Sequence, residues 1–274
     1  MLDRSEYIEQ AYFFRTLSER MKQEMATQDL LASLKQEILA STKLPMAIDF
    51  LSSELRLVGV MAPAMARLPH YFTAFQTFVI AQAEEDRSRF DFNVAMQILE
   101  REALYRSESP TPQGVFLYQF ETLCRNRLQY YKGLTAMSAD PTFDENWREF
   151  IIGVRAQVGT LDLADLIYLR SQHYLTVRSR REHDDGRQPP PPLFGEKEGQ
   201  IALANRRRDP LLLFAALQRH LSYPAVPRPP KVDEMASTLP LAIRRIEKLE
   251  ARVKLLEEEQ KGGIDLTKFY KPPE

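Results

Sequence analysis

The placement of helix breakers constrains this chain more than any other feature. Its 10 glycines are few for 274 residues, and nine of its 18 prolines bunch between Pro189 and Pro230. Long stretches elsewhere run without a residue that interrupts the helical hydrogen-bond ladder, which favours helices over a sheet-rich fold. The chain therefore reads as all-α: a bundle-like body of several helices, a proline-rich extended arm and a short C-terminal coiled-coil helix. Hydrophobic residues make up 44% of the sequence and aromatic residues 10%, enough to pack a core in a chain of this length.

Within the body the periodicity marks successive segments. Ala11, Phe14, Leu17, Met21 and Met25 keep helical spacing, and Leu31, Leu34 and Ile38 resume it out of phase, so a turn is expected near Thr27. Pro45 suits a first helical turn, and Gly59 four residues before Pro63 predicts a bend or break. A long helix is expected over 69–107, with Tyr71, Phe75 and Phe78 on one stripe, and another from Thr111, as cap before Pro112, to about Met137. Thr142 and Glu145 have the spacing of a capping box ahead of Trp147, Phe150 and Ile151. The run "LDLADLIYLRSQHYLTVRSRR" reads as one further helix.

Composition then shifts at "EHDDGRQPPPPLFG". The expected organisation is a helical body over 1–183, a proline-rich linker over 184–194, a helical pair over 195–223 opened in part by Asp209 and Pro210, a second linker over 224–237, a coiled-coil helix over 238–261 and a flexible tail over 262–274. Leu193 and Phe194, at the end of a stiff proline run, are expected to pack on something. Both proline stretches read as spacers, with docked P-x-x-P peptides as the other use of such a sequence.

The C-terminal segment "LPLAIRRIEKLEARVKLLEEE" carries the most specific pattern. Leu239, Ile246 and Val253 fall at position a of a heptad, and Ala242, Leu249 and Leu256 at d. In a parallel dimer each g residue faces the next e residue of its partner, which pairs Arg245 with Glu250 and Arg252 with Glu257, both of opposite sign. Such pairing suits self-association; Ile243 at e widens the apolar face and suits a trimer or a docked helix.

Charge excludes little but directs attention. The formal net charge is -1, and no region departs far from neutrality, which argues against nucleic acid or an anionic membrane as an obligatory partner. The start "MLDRSEYIEQ" lacks a secretory pattern and the single cysteine, Cys124, suits a reducing compartment, so a cytoplasmic location is expected. The apolar runs 57–66 and 71–83 are too short to span a bilayer and read as core helices, a surface-inserted hairpin being the other use.

Candidate chemistry is sparse. Glu84, Glu85, Asp86 and Asp91 cluster, but a di-metal bundle also needs Glu-x-x-His pairs, and the residues three before His70, His173, His183 and His220 are Arg67, Arg170, Arg180 and Leu217. With Arg87 and Arg89 alongside, the cluster reads as a solvated ion-pair face. His173 sits at helical spacing from Leu169 and Val177 and reads as a half-buried structural histidine, too far along one straight helix from Asp165 to be oriented by it. Cys124, beside Arg125 and Arg127, reads as a buried structural thiol. Phosphate-cradling glycine motifs do not occur. No metal site and no cofactor are expected.

Basic and aromatic residues interleave in "CRNRLQYYKG", "YLRSQHYLTVRSRR" and "NRRRDP". Arg125, Arg127, Tyr131, Arg178, Arg180, Arg181, Arg206, Arg207 and Arg208 are therefore candidates for a single-stranded nucleic-acid groove, with phosphates on arginine and bases on tyrosine. The reading reached from sequence is a noncatalytic scaffold, adaptor or assembly subunit that binds itself or another protein. Nucleic-acid binding is the first alternative, and a helical enzyme built on carboxylates or His173 the second.

Overall fold

A computed structural model describes residues 2–21, 27–85, 90–157, 159–180 and 189–228. Among them it is all-α, with thirteen helices and no β-strand. The chain divides between Arg228 and Pro229 into two units. The second holds the whole heptad segment and the tail, and lies outside the described residues, as do Arg181 and Asp86.

The first half of the body is built on α1 (Arg4–Met21), which lies along α6 (Phe92–Ser107) in the most extensive helix pairing of the fold. Phe13, Phe14 and Leu17 of α1 and Ala95, Ile98 and Leu99 of α6 are fully buried. Helix α2 (Thr27–Glu37) packs on α3 (Leu44–Val58), and α4 (Ala62–Ala66) on α5 (Ala74–Glu84). The expected break before Pro63 is present: α3 stops at Gly59, whose φ of 80° is a left-handed conformation that glycine adopts without cost. Glu6 is buried in α1 and holds the layers together, accepting from Tyr71 Oη at 3.0 Å and from the Lys43 backbone N–H at 2.8 Å.

Three segments expected to be single helices are each two. The stretch 69–107 contains α5 and α6, because Thr73 forms a capping box with Gln76 and Asp91 accepts from Val94 N–H to start a new helix. The stretch 111–137 divides into α7 (Pro112–Arg125) and α8 (Tyr130–Ser138), with Arg127 in the left-handed region at φ 53° between them. Thr111 caps α7 as expected. The cap expected from Thr142 and Glu145 is instead made by Asp144, whose Oδ1 accepts from Trp147 N–H at 2.9 Å at the start of α9 (Glu145–Gln157).

The third division has a tertiary cause. Helices α10 (Leu163–Leu169) and α11 (Gln172–Arg180) part at Ser171, where the chain pairs with Phe194 in an isolated parallel bridge. Arg170 O accepts from Leu193 N–H at 2.8 Å, and Gln172 N–H donates to Phe194 O at 2.9 Å, so backbone groups that would have continued the helix bond to the strap after the prolines. Leu193 and Phe194 do pack: Phe194 enters an aromatic cluster with its ring centroid 5.3 Å from Trp147, 5.7 Å from Phe150 and 6.2 Å from Phe116.

Helices α12 (Glu196–Ala204) and α13 (Pro210–Leu221) form the expected pair and close against α10, α11 and α7. Gly199 permits the approach of α12, since a Cβ there would lie 2.3 Å from Ser171 Oγ and 2.7 Å from His173 Cβ. Beyond α13 the chain stays on the body as far as Arg228: Tyr223 and Val226 are buried, and Asn126 Nδ2 donates to Pro227 O at 3.1 Å.

Candidate functional site

The arginine and tyrosine residues singled out in the sequence occupy several places on the body. Arg125, in the last turn of α7, pairs with Glu121, which is 1% exposed and also lies 2.8 Å from Tyr223 Oη. Arg127 is exposed on the following loop. The exposed ring of Tyr131 stands under the guanidinium of Arg155, 4.7 Å from its centroid. Arg178 and Arg180 end α11. Arg206 pairs with Asp165 and lies 5.5 Å over the ring of Tyr168, while Arg207 and Arg208 are exposed on the turn between α12 and α13. Arg125 and Arg206 thus each have a carboxylate partner on the body.

His173 is half-buried, and its partner is not Asp165. The break at Ser171 turns α11 toward α12, so that His173 Nδ1 lies 2.6 Å from Glu196 Oε1. The bond to His173 is the main cause holding the Glu196 carboxyl below its ordinary range. Thr176 and Gln200 also donate to Glu196, making it a junction between the two helices. A second pair, His220 Nε2 and Glu198 Oε1 at 3.4 Å, joins α13 to α12.

Glu84 departs from the expected solvated face. Its carboxylate accepts from the backbone N–H groups of Met61 and Ala62, at 2.5 and 2.9 Å, at the start of α4. Burial pushes its pKa up, against the lowering effect of those two bonds. Among the described residues no group of three or more His, Cys, Asp or Glu gathers in a way that could hold a metal ion.

The sequence reading missed the most highly charged part of the interior. Arg106, near the end of α6, donates through Nη2 to Glu102 Oε1 at 2.8 Å and binds Asp140 through both terminal nitrogens; Gln119 Nε2 donates to the same Glu102 oxygen and to Asp140 Oδ2. None of the four is more than 5% exposed. Two carboxylates share one guanidinium, and Glu102 Oε2 and Gln119 Oε1 have no hydrogen-bond partner. In sequence Glu102 and Arg106 have the i, i+4 spacing of a solvated pair, and nothing local announces that Asp140 will cover them. Arg106 also borders a cavity of about 210 Å³ with Arg4, Tyr7, Ser109 and Thr142.

Cys124 is largely buried, and burial raises its thiol to about 11, above the range of a reactive cysteine. It lines a second cavity, of about 200 Å³, where α7, α8, α9, α10 and α13 meet. No helix among the described residues is long and apolar enough to cross a membrane. No family model, curated relative or solved structure matches the chain.

Proposed function

We propose that this protein is a noncatalytic helical scaffold, adaptor or assembly subunit that self-associates through residues 238–261. The observation that carries this reading is the heptad register of Leu239, Ala242, Ile246, Leu249, Val253 and Leu256, with charges at Arg245, Glu250, Arg252 and Glu257 that complement one another in a parallel pair. A helix that merely covered its own body would need the apolar stripe but not this agreement of g and e charges. The proline-rich residues before it serve as a spacer, and the single cysteine favours a cytoplasmic location.

The test is mass by light scattering after size exclusion, over a dilution series, for the full chain and for residues 1–228. Ending at Arg228 retains Tyr223 and Val226, which belong to the core of the body. The full chain is expected to be oligomeric and the shorter one monomeric. If both are monomers across the series, the self-association reading fails.

A further inference from the structure

The cavity beside Cys124 has features that neither a scaffold role nor the C-terminal helix uses. Its floor is apolar, formed by Phe120, Leu163 and Phe214, all buried, and its mouth is marked by the exposed residues Gly159, Leu161 and Pro210. An apolar cavity of about 150 Å³ accepts a benzene ring. This one, at about 200 Å³, has room for a somewhat larger group.

The turn carrying the arginines reaches the same mouth. Asp162, which lines the cavity, accepts from the Arg207 backbone N–H at 2.7 Å, and Arg208 and Asp209 lead directly to Pro210. The charges there are unequally engaged. Asp162 Oδ1 accepts from Ala164 N–H and its Oδ2 from Arg207, Asp209 Oδ1 accepts from Leu211 N–H, and Asp165 is paired with Arg206. The side chains of Arg207 and Arg208 have no carboxylate partner among the described residues. Among the described residues, two arginines without a carboxylate partner therefore sit on the turn that reaches this mouth, where Asp162, Asp165 and Asp209 already hold hydrogen bonds of their own.

We propose that this cavity binds a small amphiphilic anion, a monocarboxylate whose apolar tail of about six to eight carbons enters between Phe120, Leu163 and Phe214 while Arg207 and Arg208 hold the carboxylate at the mouth. Desolvating the tail supplies the affinity, and the arginines select the charged head. A ligand of this size binds with Kd on the order of 1 mM.

Cys124 is the sole cysteine of the chain and lies in the cavity wall, so its alkylation reports occupancy of this site alone. The probes are sodium octanoate and 1-octanol, titrated against the rate of iodoacetamide labelling of the full chain at about pH 9. Saturating octanoate is expected to slow labelling about tenfold, and at equal concentrations of about 3 mM octanol should protect several-fold less than octanoate. In the double variant Arg207→Glu, Arg208→Glu, octanoate should lose its advantage while octanol protection stays as in the wild type. That preserved protection also shows the variant to be folded. No protection by octanoate up to about 10 mM removes the site, and equal protection by both compounds at equal concentration removes the role of the arginines. Neither result bears on self-association, which is read from mass.

Discussion

Arg106 and Asp140 lie 34 positions apart in sequence and meet in an enclosed ion pair between the last turn of α6 and the end of α8. Burial alone would raise the Asp140 carboxyl, but the Arg106 guanidinium overrides it and holds the group below its ordinary range. A carboxyl lowered in this way stabilises the fold above its unfolded pKa of about 3.9, and the contribution is lost as pH falls through the folded value. Replacing Arg106 by Met leaves two carboxylates buried without a counter-charge, which costs about 3–5 kcal/mol at neutral pH. The deficit against the wild type should shrink as pH falls from neutral toward about 4, because buried carboxylates without a counter-charge take up protons above their ordinary range. Urea unfolding at neutral and acid pH measures both; a deficit independent of pH would mean that Arg106 acts by packing alone.

The hydroxyl of Tyr223 lies 2.8 Å from Glu121 Oε2 and 3.1 Å from Phe214 O, joining the segment after α13 to α7. Tyr223→Phe keeps the ring and removes the donor, leaving the buried Glu121 with Arg125 as its remaining side-chain partner. The expected loss is about 1–3 kcal/mol. A chain ending at Ser222 should lose more than this substitution, since the buried area of Tyr223 and Val226 goes as well. Thermal unfolding of residues 1–228, 1–222 and Tyr223→Phe ranks the three, and an unchanged midpoint for 1–222 would show that the terminal segment contributes nothing.

What the sequence made legible follows from which forces are local. Caps at Thr111 and Asp209, the glycine stop at Gly59 and the apolar stripe of α1 depend on neighbours within a few residues, and they are where the pattern placed them. The divisions inside 69–107, 111–137 and 161–181 have no counterpart in the local pattern. At Ser171 the reason is plain: the backbone bonds to Leu193 and Phe194, more than twenty residues away, and no local preference encodes that choice. The candidate sites behaved likewise. The position of His173 was readable, but Glu196 became its partner only through the packing of α12, and Glu84 caps a helix that precedes it by more than twenty positions. Asp140 carried no signal at all.

Phe194 completes an aromatic cluster whose other members, Phe116, Trp147 and Phe150, come from α7 and α9. Phe194→Ala removes the ring that fixes the strap, and with it the partner that ends α10 at Arg170. The expected cost is about 3–5 kcal/mol, and amide exchange at Leu193 and Gln172, whose N–H groups bond across the strap, should accelerate along with it. If exchange at those two amides were unchanged, the bridge would be held by its backbone bonds and not by the ring.

Position 199 tests the same region by addition of a single methyl. A Cβ at Gly199 would meet Ser171 Oγ at 2.3 Å and the Cβ atoms of Ser171 and His173 at 2.7 Å, the latter two fixed to the backbone. Helix propensity alone favours Ala over Gly by about 1 kcal/mol, so an exposed site would gain stability. Gly199→Ala should instead lose about 1–3 kcal/mol, and Gly153→Ala, where a Cβ meets nothing within 4 Å, should not lose any. Opposite signs in chemical denaturation support the close approach of α12 to Ser171; a gain at both positions would show that α12 can shift without cost.

The heptad segment offers a test by charge that does not depend on truncation. In a parallel pair Arg245 faces Glu250 and Arg252 faces Glu257, and two-fold symmetry repeats each contact, so reversing both arginines creates four like-charge contacts. At about 0.5 kcal/mol for each such contact, together with the attraction lost, Arg245→Glu with Arg252→Glu should weaken self-association at least about tenfold. Glu250→Arg with Glu257→Arg should do the same. Mixing the two variants restores opposite signs at every contact, so the mixture should associate while neither variant does alone, and high salt should narrow the difference. Light scattering on the separate and mixed proteins measures this. If both variants associate as the wild type does, the charges set neither partner nor orientation; if the mixture fails with its parts, the parallel register is wrong and an antiparallel or higher-order arrangement takes its place.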